Sequence, residues 1–418
     1  MNQEQRTTDD GRRTASLEQV YDSLAAWCRA RGYAGHDPFD ALNSRIFQST
    51  PLRRWRAARL VWTQAFKRSP VSLRALARVP AERNPKGTAL FALAALSRLR
   101  SPRGTADGSR ARGAEGEARE LLNQLVAARI ETRHGVAWGY NFDWQSRAFF
   151  APKGTPTVVP TAFAVRALVE ASRGFGGEGA GKYLPLARAA CEFVLRELNR
   201  GDETGEELCF SYTPLDRTRV FNASLLAAEA LASVGALANE DVLKEAAARA
   251  ARYVVRRQRA DGSWAYGAES FQSWSDNFHT AFVLTSLARV IGACGDRRGE
   301  FAPALRRGFD FWRANFFRAD GFPKFTPARD HPADAHSAGA ALVALCELKD
   351  LSPEALPLAA KVAAWSVEHL RDPRGFFRYQ RRKFFTVRTP YMRWSQGWML
   401  YGLARLLETT KSGRRTMK

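Results

Sequence analysis

Two histidines and four aspartates stand where this chain could carry out acid–base chemistry. They lie in or beside loops rich in aromatic residues, and they are His279, His336, Asp143, Asp216, Asp276 and Asp334. Histidine titrates near neutral pH and can donate or accept a proton. Two carboxylates on either side of a glycosidic bond can divide the roles of acid and base or nucleophile. These residue types point to proton transfer or hydrolysis on a carbohydrate.

The same loops supply aromatic and amide side chains that suit a sugar-binding cleft. They are Trp138, Tyr140, Trp144, Tyr212, Asn222, Trp264, Tyr266, Trp274, Tyr391 and Trp394. Aromatic faces pack on the apolar faces of sugar rings, and a few polar groups then fix the orientation of the ligand. We expect these residues to bind a saccharide.

The pattern leaves more than one reaction open. A glycoside hydrolase would use two carboxylates, first Asp143 with Asp276, and otherwise Asp216 and Asp334. A lyase or epimerase would use a histidine base, a tyrosine that returns the proton, and an amide or guanidinium that holds a uronate carboxylate. The candidate base is His279 or His336, and the candidate proton donor is Tyr212 or Tyr266. The residue that holds the carboxylate would be Asn222 or Arg217.

Structural roles compete with catalysis for several of these aspartates. Asp276 and Asp334 directly precede apolar helices, where aspartate commonly accepts hydrogen bonds from free backbone N–H groups as an N-cap. Asp216 is a candidate for an ion pair with Arg217 or Arg219. Asp143 lies inside an aromatic loop rather than one step before a helix.

The loops recur along the chain at a nearly constant interval. Each leads into an apolar helix that opens with a polar residue, at Thr161, Asn222, His279, His336 and Gln396, with intervals of 61, 57, 57 and 60 residues. A more divergent sixth copy opens at Asn84. A period near sixty predicts a repeat architecture.

Each period has room for two helices, such as 242–258 and 278–291, in which apolar residues recur at helical spacing. The helix after each aromatic loop is richer in apolar and small residues than its partner. This asymmetry predicts an inner ring of buried helices within an outer ring that faces water. We expect an all-α single domain, an α/α toroid of about six helical hairpins closed into a ring, with an open solenoid as the alternative and no strands.

The phrase Gln258-Arg259-Ala260-Asp261-Gly262-Ser263-Trp264, followed by Asp276-Asn277-Phe278-His279-Thr280, resembles the α/α-toroid superfamily. That superfamily includes terpenoid cyclases, protein prenyltransferase β-subunits, six-hairpin glycosidases and polysaccharide lyases. The resemblance covers most of residues 84–407 as a repeat pattern. More narrowly, the stretches 138–157 and 210–222 resemble uncharacterised bacterial proteins of exopolysaccharide and lipopolysaccharide gene clusters, which implies a role in cell-surface polysaccharide biosynthesis.

Two chemistries of that superfamily lack their motifs in this chain. The stretch around His279 is similar to the one that bears the zinc-binding histidine of prenyltransferase β-subunits, but Glu207-Leu208-Cys209 lacks the aspartate of their Asp-x-Cys element. The acidic motifs of terpene cyclases are missing, since the only Asp-Asp pair is Asp9-Asp10. We expect neither a metal nor a cofactor, and an isoprenoid or lipid-linked substrate stays an alternative.

Composition sets the remaining expectations. The net charge of +22 favours anionic partners, such as an acidic glycan or, for peripheral contact, an anionic membrane or a synthesis complex. No nucleic-acid-binding motif is visible, so nucleic acid is not expected. The five cysteines are scattered, the N-terminus has no secretory pattern and no apolar run is long enough to span a bilayer, so we expect a cytoplasmic protein. A non-catalytic scaffold of a polysaccharide synthesis complex is the alternative function.

The expected boundaries follow from the repeat. We expect tails at 1–15 and 411–418, N-terminal helices at 16–83 that join the ring, and toroid repeats over 84–410 with a flexible insert at 101–117. The glycine-rich stretch 174–181 is expected to be a flexible connection between helices.

Overall fold

The computed structural model describes residues 17–100, 108–296 and 298–412 of the chain. Within them, helices dominate. They are α1 (17–29), α2 (Arg45–Gln48), α3 (Arg56–Arg68), α4 (Pro85–Arg100), α5 (Gly108–Ala127), α6 (Val158–Gly174), α7 (Gly176–Glu197), α8 (Phe221–Ala238), α9 (Asp241–Val255), α10 (Asn277–Cys294), α11 (Phe301–Asn315), α12 (Ala335–Glu347), α13 (Ala355–Leu370) and α14 (Trp398–Ser412). A π-helical segment, Met392–Gly397, leads directly into α14.

Every second helix from α4 onward belongs to a closed inner ring. Helices α4, α6, α8, α10, α12 and α14 pack each against the next, and α14 packs against α4. Their residues are apolar on nearly all sides and mostly buried, which is the pattern of a helix enclosed by others. The chain is therefore an all-α toroid, as the sequence predicts, and the open solenoid is ruled out.

The outer ring consists of α5, α7, α9, α11 and α13, and it is completed by α1 from the other end of the chain. Helix α1 contacts α5 through the Arg29–Glu117 ion pair at 2.9 Å. On its other side, Ser23 Oγ accepts a hydrogen bond from Arg371, just after α13, at 2.9 Å. The N-terminal helix thus supplies the sixth outer position, beside α14.

Glycine turns fix how successive outer helices approach one another. Gly262, Gly321 and Gly375 follow α9, α11 and α13, and all three have positive φ, at 89°, 90° and 97°. A Cβ on Gly262 would lie 2.6 Å from the carbonyl oxygen of Arg307 in α11, and one on Gly321 would lie 2.4 Å from the backbone of Lys361 in α13. Only glycine allows both this backbone conformation and this approach.

Among the described residues, ion pairs join successive inner helices from α12 through α10, α8, α6 and α4 to α14, a series that we call the ion-pair circuit. The Glu229 carboxylate of α8 accepts hydrogen bonds from Arg166 of α6 at 2.5 and 2.6 Å and from Arg289 of α10 at 2.7 Å. Arg289 continues to Glu347 of α12 at 2.5 Å. Arg100 of α4 bridges Glu170 of α6 and Glu408 of α14, each at 2.9 Å.

Short strands in the loops correct the expectation that the chain has none. They are two residues long and form antiparallel pairs: β1 (Ile130–Glu131) with β2 (Val136–Ala137), β3 (Trp144–Gln145) with β4 (Phe150–Ala151), β5 (Arg200–Gly201) with β6 (Cys209–Phe210), and β8 (Gln380–Arg381) between β7 (Ala333–Asp334) and β9 (Thr386–Val387). Such strand pairs hold the ends of the aromatic loops together. Each strand is too short to show an alternating pattern in the sequence.

Other boundaries also differ from expectation. The glycine-rich stretch 174–181 is helical except for Phe175, so α6 and α7 are joined by one residue. Of the insert 101–117, residues 101–107 lie outside the described residues, and α5 begins at Gly108. The tails expected at 1–15 and 411–418 also lie outside them, apart from 411–412 at the end of α14. Within the described residues, α8 has the length and composition to cross a membrane, but it is an inner-ring helix and 78% buried.

Residues 37–80, which we call the rim segment, lie across one end of the toroid. This end, the rim, is where the inner helices have their N-termini. Asp37 pairs with Arg393 at 2.6 and 2.8 Å, and Arg59 Nε donates to Gln145 Oε1 at 2.8 Å. Of the N-terminal helices, α1 joins the outer ring, whereas α2 and α3 cover part of the rim.

Replacing Glu229 by glutamine tests whether the ion-pair circuit stabilises the ring. The change leaves the buried guanidinium group of Arg166 without its carboxylate and Arg289 with only Glu347. Losing one partner of a buried pair costs about 3–5 kcal/mol. We expect a loss of about 3 kcal/mol in the free energy of unfolding, measured by urea denaturation. Glu245→Gln, on the exposed side of α9, is the matched control and should change it by less than about 0.5 kcal/mol. Equal effects of the two variants would contradict a stabilising circuit.

Candidate functional site

The N-termini of the inner helices converge on the rim and bring the predicted residues of several repeats into one region. Tyr140 and Tyr212, from successive loops, meet through their hydroxyl groups at 3.1 Å. The ring of Tyr266, from the next loop, lies 4.7 Å from that of His279 at the start of α10. The unpaired N–H groups and aligned dipoles of helix N-termini favour anions at this end.

His279 and Asp276 form a hydrogen-bonded pair at the start of α10. His279 Nδ1 lies 2.8 Å from Asp276 Oδ2, and Asp276 Oδ1 accepts the backbone N–H of His279 at 2.9 Å. Asp276 is therefore the N-cap that the sequence predicts, and its second oxygen orients the imidazole. When the carboxylate accepts a hydrogen bond from Nδ1–H, a neutral imidazole has its lone pair on Nε2. The His279 side chain is 21% exposed and Asp276 is buried.

Aromatic rings wall the region beside this histidine. Tyr266 and Trp274 stack at 4.4 Å with an 11° interplanar angle, and the Trp274 ring is 5.8 Å from that of His279. Farther along the rim, Trp144 packs on Tyr212 at 4.9 Å. Trp274 is exposed and Trp144 is half-buried, so both walls reach solvent. Their flat faces suit the apolar faces of a sugar.

The second histidine is enclosed. His336 is 1% exposed and stacks between Phe278 at 4.3 Å and Trp398 at 5.0 Å, with Trp394 edge-on at 4.2 Å. Neither of its ring nitrogens has a hydrogen-bond partner among the described residues. Burial, with the nearby charges of Lys86 and Arg393, lowers the pKa of His336 well below its usual value, so the ring is neutral.

Asp334 is the N-cap of α12 and is fully buried. Its Oδ1 accepts the backbone N–H of Ser337 at 2.7 Å, and Oδ2 faces Trp394 Nε1 at 3.4 Å. Burial raises the pKa of Asp334 to about 6, although hydrogen bonds from Ser337 and Trp394 and the charge of Lys67 oppose the shift. The cap role that the sequence allows is present, and no solvent reaches the carboxylate.

Two lysines near these groups were not among the predicted site residues. Lys86, in the first turn of α4, is buried with its ammonium nitrogen 4.5 Å from the Phe163 ring and 5.1 Å from the Phe282 ring. Burial, with Arg393 and Arg166, lowers its pKa well below the usual value. Lys67 of α3 lies over Phe39, and burial lowers its pKa to about 8 despite Asp334 and Asp37. The sequence feature that could have identified Lys86 is its position as a lone charged residue at the start of the apolar helix α4.

The carboxylates of Asp143 and Asp216 accept hydrogen bonds that hold the local structure around them. Asp143 accepts the backbone N–H of Lys153 at 2.8 Å and the amide of Gln48 at 3.2 Å. Asp216 does not form the expected pair with Arg217 or Arg219. Its two oxygens instead accept hydrogen bonds from the backbone and hydroxyl groups of Thr213 and Thr218. Both carboxylates are held by the turns around them.

Four residues expected to bind substrate lie in the core. The indole nitrogen of Trp138 donates to Leu125 O at 2.7 Å, and that of Trp264 donates to Val254 O at 2.9 Å, so both rings pack behind the end of the preceding outer helix. Tyr391 is fully buried with Arg74 over its ring at 4.7 Å. Asn222 is buried beneath Tyr266 and His279, where it lines a void of about 10 Å³.

Two larger recesses lie away from His279. One, of about 250 Å³, is lined by Arg200, Arg217, Arg219 and Glu269. The other, of about 470 Å³, opens between Glu82, Arg83 and Lys153. Arg217 therefore faces a separate recess, whereas His279 lies at the protein surface, 21% exposed, and lines a void of only about 10 Å³.

Comparison with solved structures identifies the fold. The chain superposes on cellobiose 2-epimerase from Bacillus thermoamylovorans with a TM-score of 0.59 and 12% identity, over 80% of this chain and 90% of the epimerase. It superposes on the GH76 α-mannanase of Bacteroides thetaiotaomicron with a TM-score of 0.55 and 12% identity, over 80% and 87% of the two chains. For a D-mannose isomerase the values are 0.54 and 12%, over 76% and 86%.

These similarities show that the chain has the α/α-toroid fold that sugar epimerases, isomerases and glycosidases also have. At such low identity the likeness extends to the fold alone. No family model and no curated protein matches the sequence.

Replacing Asp334 by asparagine tests the burial of its charge. A raised pKa means that Asp334 contributes stability below about pH 3.8 and that this contribution is lost as the pH rises through about 6. Asparagine keeps the cap and stays neutral. The stability of Asp334→Asn relative to the parent protein should therefore rise by about 2 kcal/mol between pH 4 and pH 7, from about 1.4 kcal/mol for each pKa unit.

Urea denaturation at several pH values measures this difference. Asp310→Asn, at an exposed position of α11, is the control and should show a difference that does not change with pH. A flat profile for Asp334→Asn as well would mean that Asp334 ionises in the folded protein as it does in water.

Proposed function

We propose that the protein is a carbohydrate-active enzyme that moves a proton on a sugar bound at the surface beside His279, Tyr266 and Trp274. The observation that supports this most is the His279–Asp276 pair, at 2.8 Å, beside the stacked rings of Tyr266 and Trp274. A base with a free Nε2, fixed in orientation and flanked by a flat aromatic wall, is suited to a sugar substrate.

The proposed chemistry follows from the protonation state of the pair. His279 Nε2 takes a proton from a carbon next to a carbonyl or carboxyl group of the substrate, and the electron pair of that C–H bond moves into an enolate. The buried Asp276 carboxylate stabilises the imidazolium that results. Return of a proton to the opposite face gives the epimer, and expulsion of a neighbouring glycosidic oxygen gives the lyase product. Tyr266, in contact with His279, and Tyr212 are the candidate donors.

Histidine chemistry is favoured over a pair of carboxylates by the hydrogen bonds of the aspartates. Asp216 accepts hydrogen bonds from Thr213 and Thr218 of its own loop. Asp143 accepts one from Lys153 of its own loop and one from Gln48 of α2, and Asp334 is fully buried. Asp276 uses both oxygens on His279. A hydrolase mechanism would require one of these aspartates to give up its hydrogen bonds. Asp143 with Asp276 remains the competing hypothesis.

Similar folds support a sugar substrate. The solved structures that the chain resembles include a cellobiose 2-epimerase, a D-mannose isomerase and a GH76 α-mannanase. We propose an acidic saccharide, because the net charge is +22 and the helix N-termini add positive potential at the rim. A place in cytoplasmic steps of cell-surface polysaccharide biosynthesis is part of the same proposal, and it rests on the sequence resemblance. A scaffold and an isoprenoid-handling protein remain the alternatives.

Hydrogen exchange at carbon tests the proton transfer directly. The protein is incubated in D₂O with cellobiose, mannose, glucuronate and oligouronates, and ¹H NMR follows deuterium entry next to the carbonyl or carboxyl carbon. We expect exchange with one of these probes, and a fall of about 10²–10⁴-fold in His279→Gln with binding retained. Asp276→Asn keeps the helix cap but loses the charge, and we expect a fall of about 10–100-fold.

His134→Gln is the matched control, because this half-buried histidine lies in the turn between β1 and β2, and its rate should equal that of the parent protein. Hydrolysis without exchange, abolished by Asp143→Asn and unaffected by His279→Gln, would replace this proposal by the carboxylate mechanism. If no probe is turned over and only prenyl diphosphate raises the melting temperature, the isoprenoid alternative is favoured. No response to any probe favours the scaffold.

A further inference from the structure

The rim segment exposes apolar side chains to an unusual extent. Thirteen large apolar side chains are exposed among the described residues, and six of them belong to this segment: Ile46, Leu52, Trp55, Val61, Val71 and Leu76. Trp55 is 64% exposed and Leu76 is 77% exposed. Such clustering on one short segment is not the scattered exposure that ordinary surfaces show.

The solvent-facing side of α3 is one place where these exposed apolar side chains cluster. Ala57, Val61 and Ala65 follow one another at helical spacing, and all three are exposed, whereas Thr63 and Phe66 face inward. A surface helix of a water-soluble domain usually turns charged or polar residues to that side. Helix α3 is thus apolar on its solvent side and bordered there by Arg56 and Arg68.

A second exposed element lies next to the segment. The hairpin of β8 and β9 carries Phe384, 85% exposed, and Phe385, 43% exposed, at its tip. The backbone N–H of Arg388, at the end of this hairpin, faces Pro70 O at 3.5 Å. The hairpin therefore adjoins the rim segment, and we call the exposed apolar residues of the two together the docking face.

The charge of the docking face determines which partners it can bind. No Asp or Glu lies between Asp40 and Glu82, whereas that stretch holds nine Arg and Lys residues. Six of the arginines are exposed, among them Arg53, Arg54 and Arg56 around Trp55. The hairpin adds Lys383 and Arg388, and no acidic residue lies between Asp372 and Glu408. Aromatic and aliphatic tips among cations are the features that hold a protein at an anionic bilayer surface.

The rest of the chain offers no cover for the docking face. Residues 1–16 contain three acidic and three basic residues, and no aromatic, Leu, Ile or Val. Residues 413–418 carry three basic residues and no acidic one. The first stretch lacks apolar groups to bury, and the second has the same charge as the face. Like charges would also oppose a second copy placed face to face.

We propose that the docking face holds the protein on an anionic lipid bilayer, with the rim toward the membrane. Trp55 and the Phe384–Phe385 tip insert among the lipid headgroups, and the surrounding arginines pair with lipid phosphates. His279 lies at the same end of the toroid, so a membrane-attached saccharide would be within its reach. The proposal concerns lipid alone and does not rest on the proposed function.

Vesicle flotation with the full-length protein tests the docking face. Vesicles of phosphatidylcholine are compared with vesicles of phosphatidylcholine and phosphatidylglycerol. We expect flotation only with the second kind, weakened by added salt. The double variant Arg53→Glu/Arg54→Glu should lower the apparent partition coefficient by about ten-fold or more. Trp55→Ser/Phe384→Ser should do the same through loss of apolar insertion.

Matched controls use exposed residues elsewhere on the protein. Arg112→Glu in α5 and Val242→Ser in α9, which is 74% exposed, should leave flotation unchanged. Thermal melting confirms that each variant is folded. Flotation that is absent, equal on both vesicles, or equally affected by the control variants would overturn the proposal. So would a dimer in sedimentation velocity that Trp55→Ser dissolves, since a second copy would then cover the face.

Discussion

The circuit of ion pairs among the inner helices is the constraint on which the remaining structure depends. The inner helices are otherwise so apolar that their packing alone would tolerate sliding and rotation. Charges placed among them must be paired, because an unpaired buried ion costs several kcal/mol. Glu229 meets Arg166 and Arg289, and Arg100 meets both Glu170 and Glu408. Each inner helix is thereby paired with at least one neighbour, and the Arg100–Glu408 pair forms only when the first and last inner helices meet.

Closure of the ring determines where chemistry can occur. All six inner helices run in the same direction through the ring, so their N-termini share the rim and each needs a cap for its free N–H groups. In α10 a single carboxylate, that of Asp276, both caps the helix and orients a histidine. Asp276 and His279 are three residues apart, a spacing that places both side chains on one face of the first turn. Asp334 and His336 are two residues apart, so the cap in α12 faces Trp394 and leaves His336 without a carboxylate partner.

The sequence predicts the features that repeat, and it misses those that join distant parts of the chain. The period near sixty, the apolar inner helices and the Asp276 cap are local patterns, and all are present in the structure. The burial of Trp138 and Trp264 was not evident, because an aromatic ring after a glycine turn looks the same whether it faces a ligand or the preceding helix. The Asp37–Arg393 pair joins residues 356 positions apart, and no spacing rule connects them.

That distant pair also explains why the two histidines differ in access. Asp37 and Arg393 anchor the rim segment against the start of α14, and the segment then brings Phe39 to 5.5 Å from Trp394 and Lys67 to 5.6 Å from the same ring. Trp394 in turn packs on His336 at 4.2 Å. The rim segment thus covers the rim at α12 and α14 and leaves it open at α10, beside Tyr266 and Trp274. The part of the chain least connected to the repeat therefore determines which of two equivalent positions can meet a substrate.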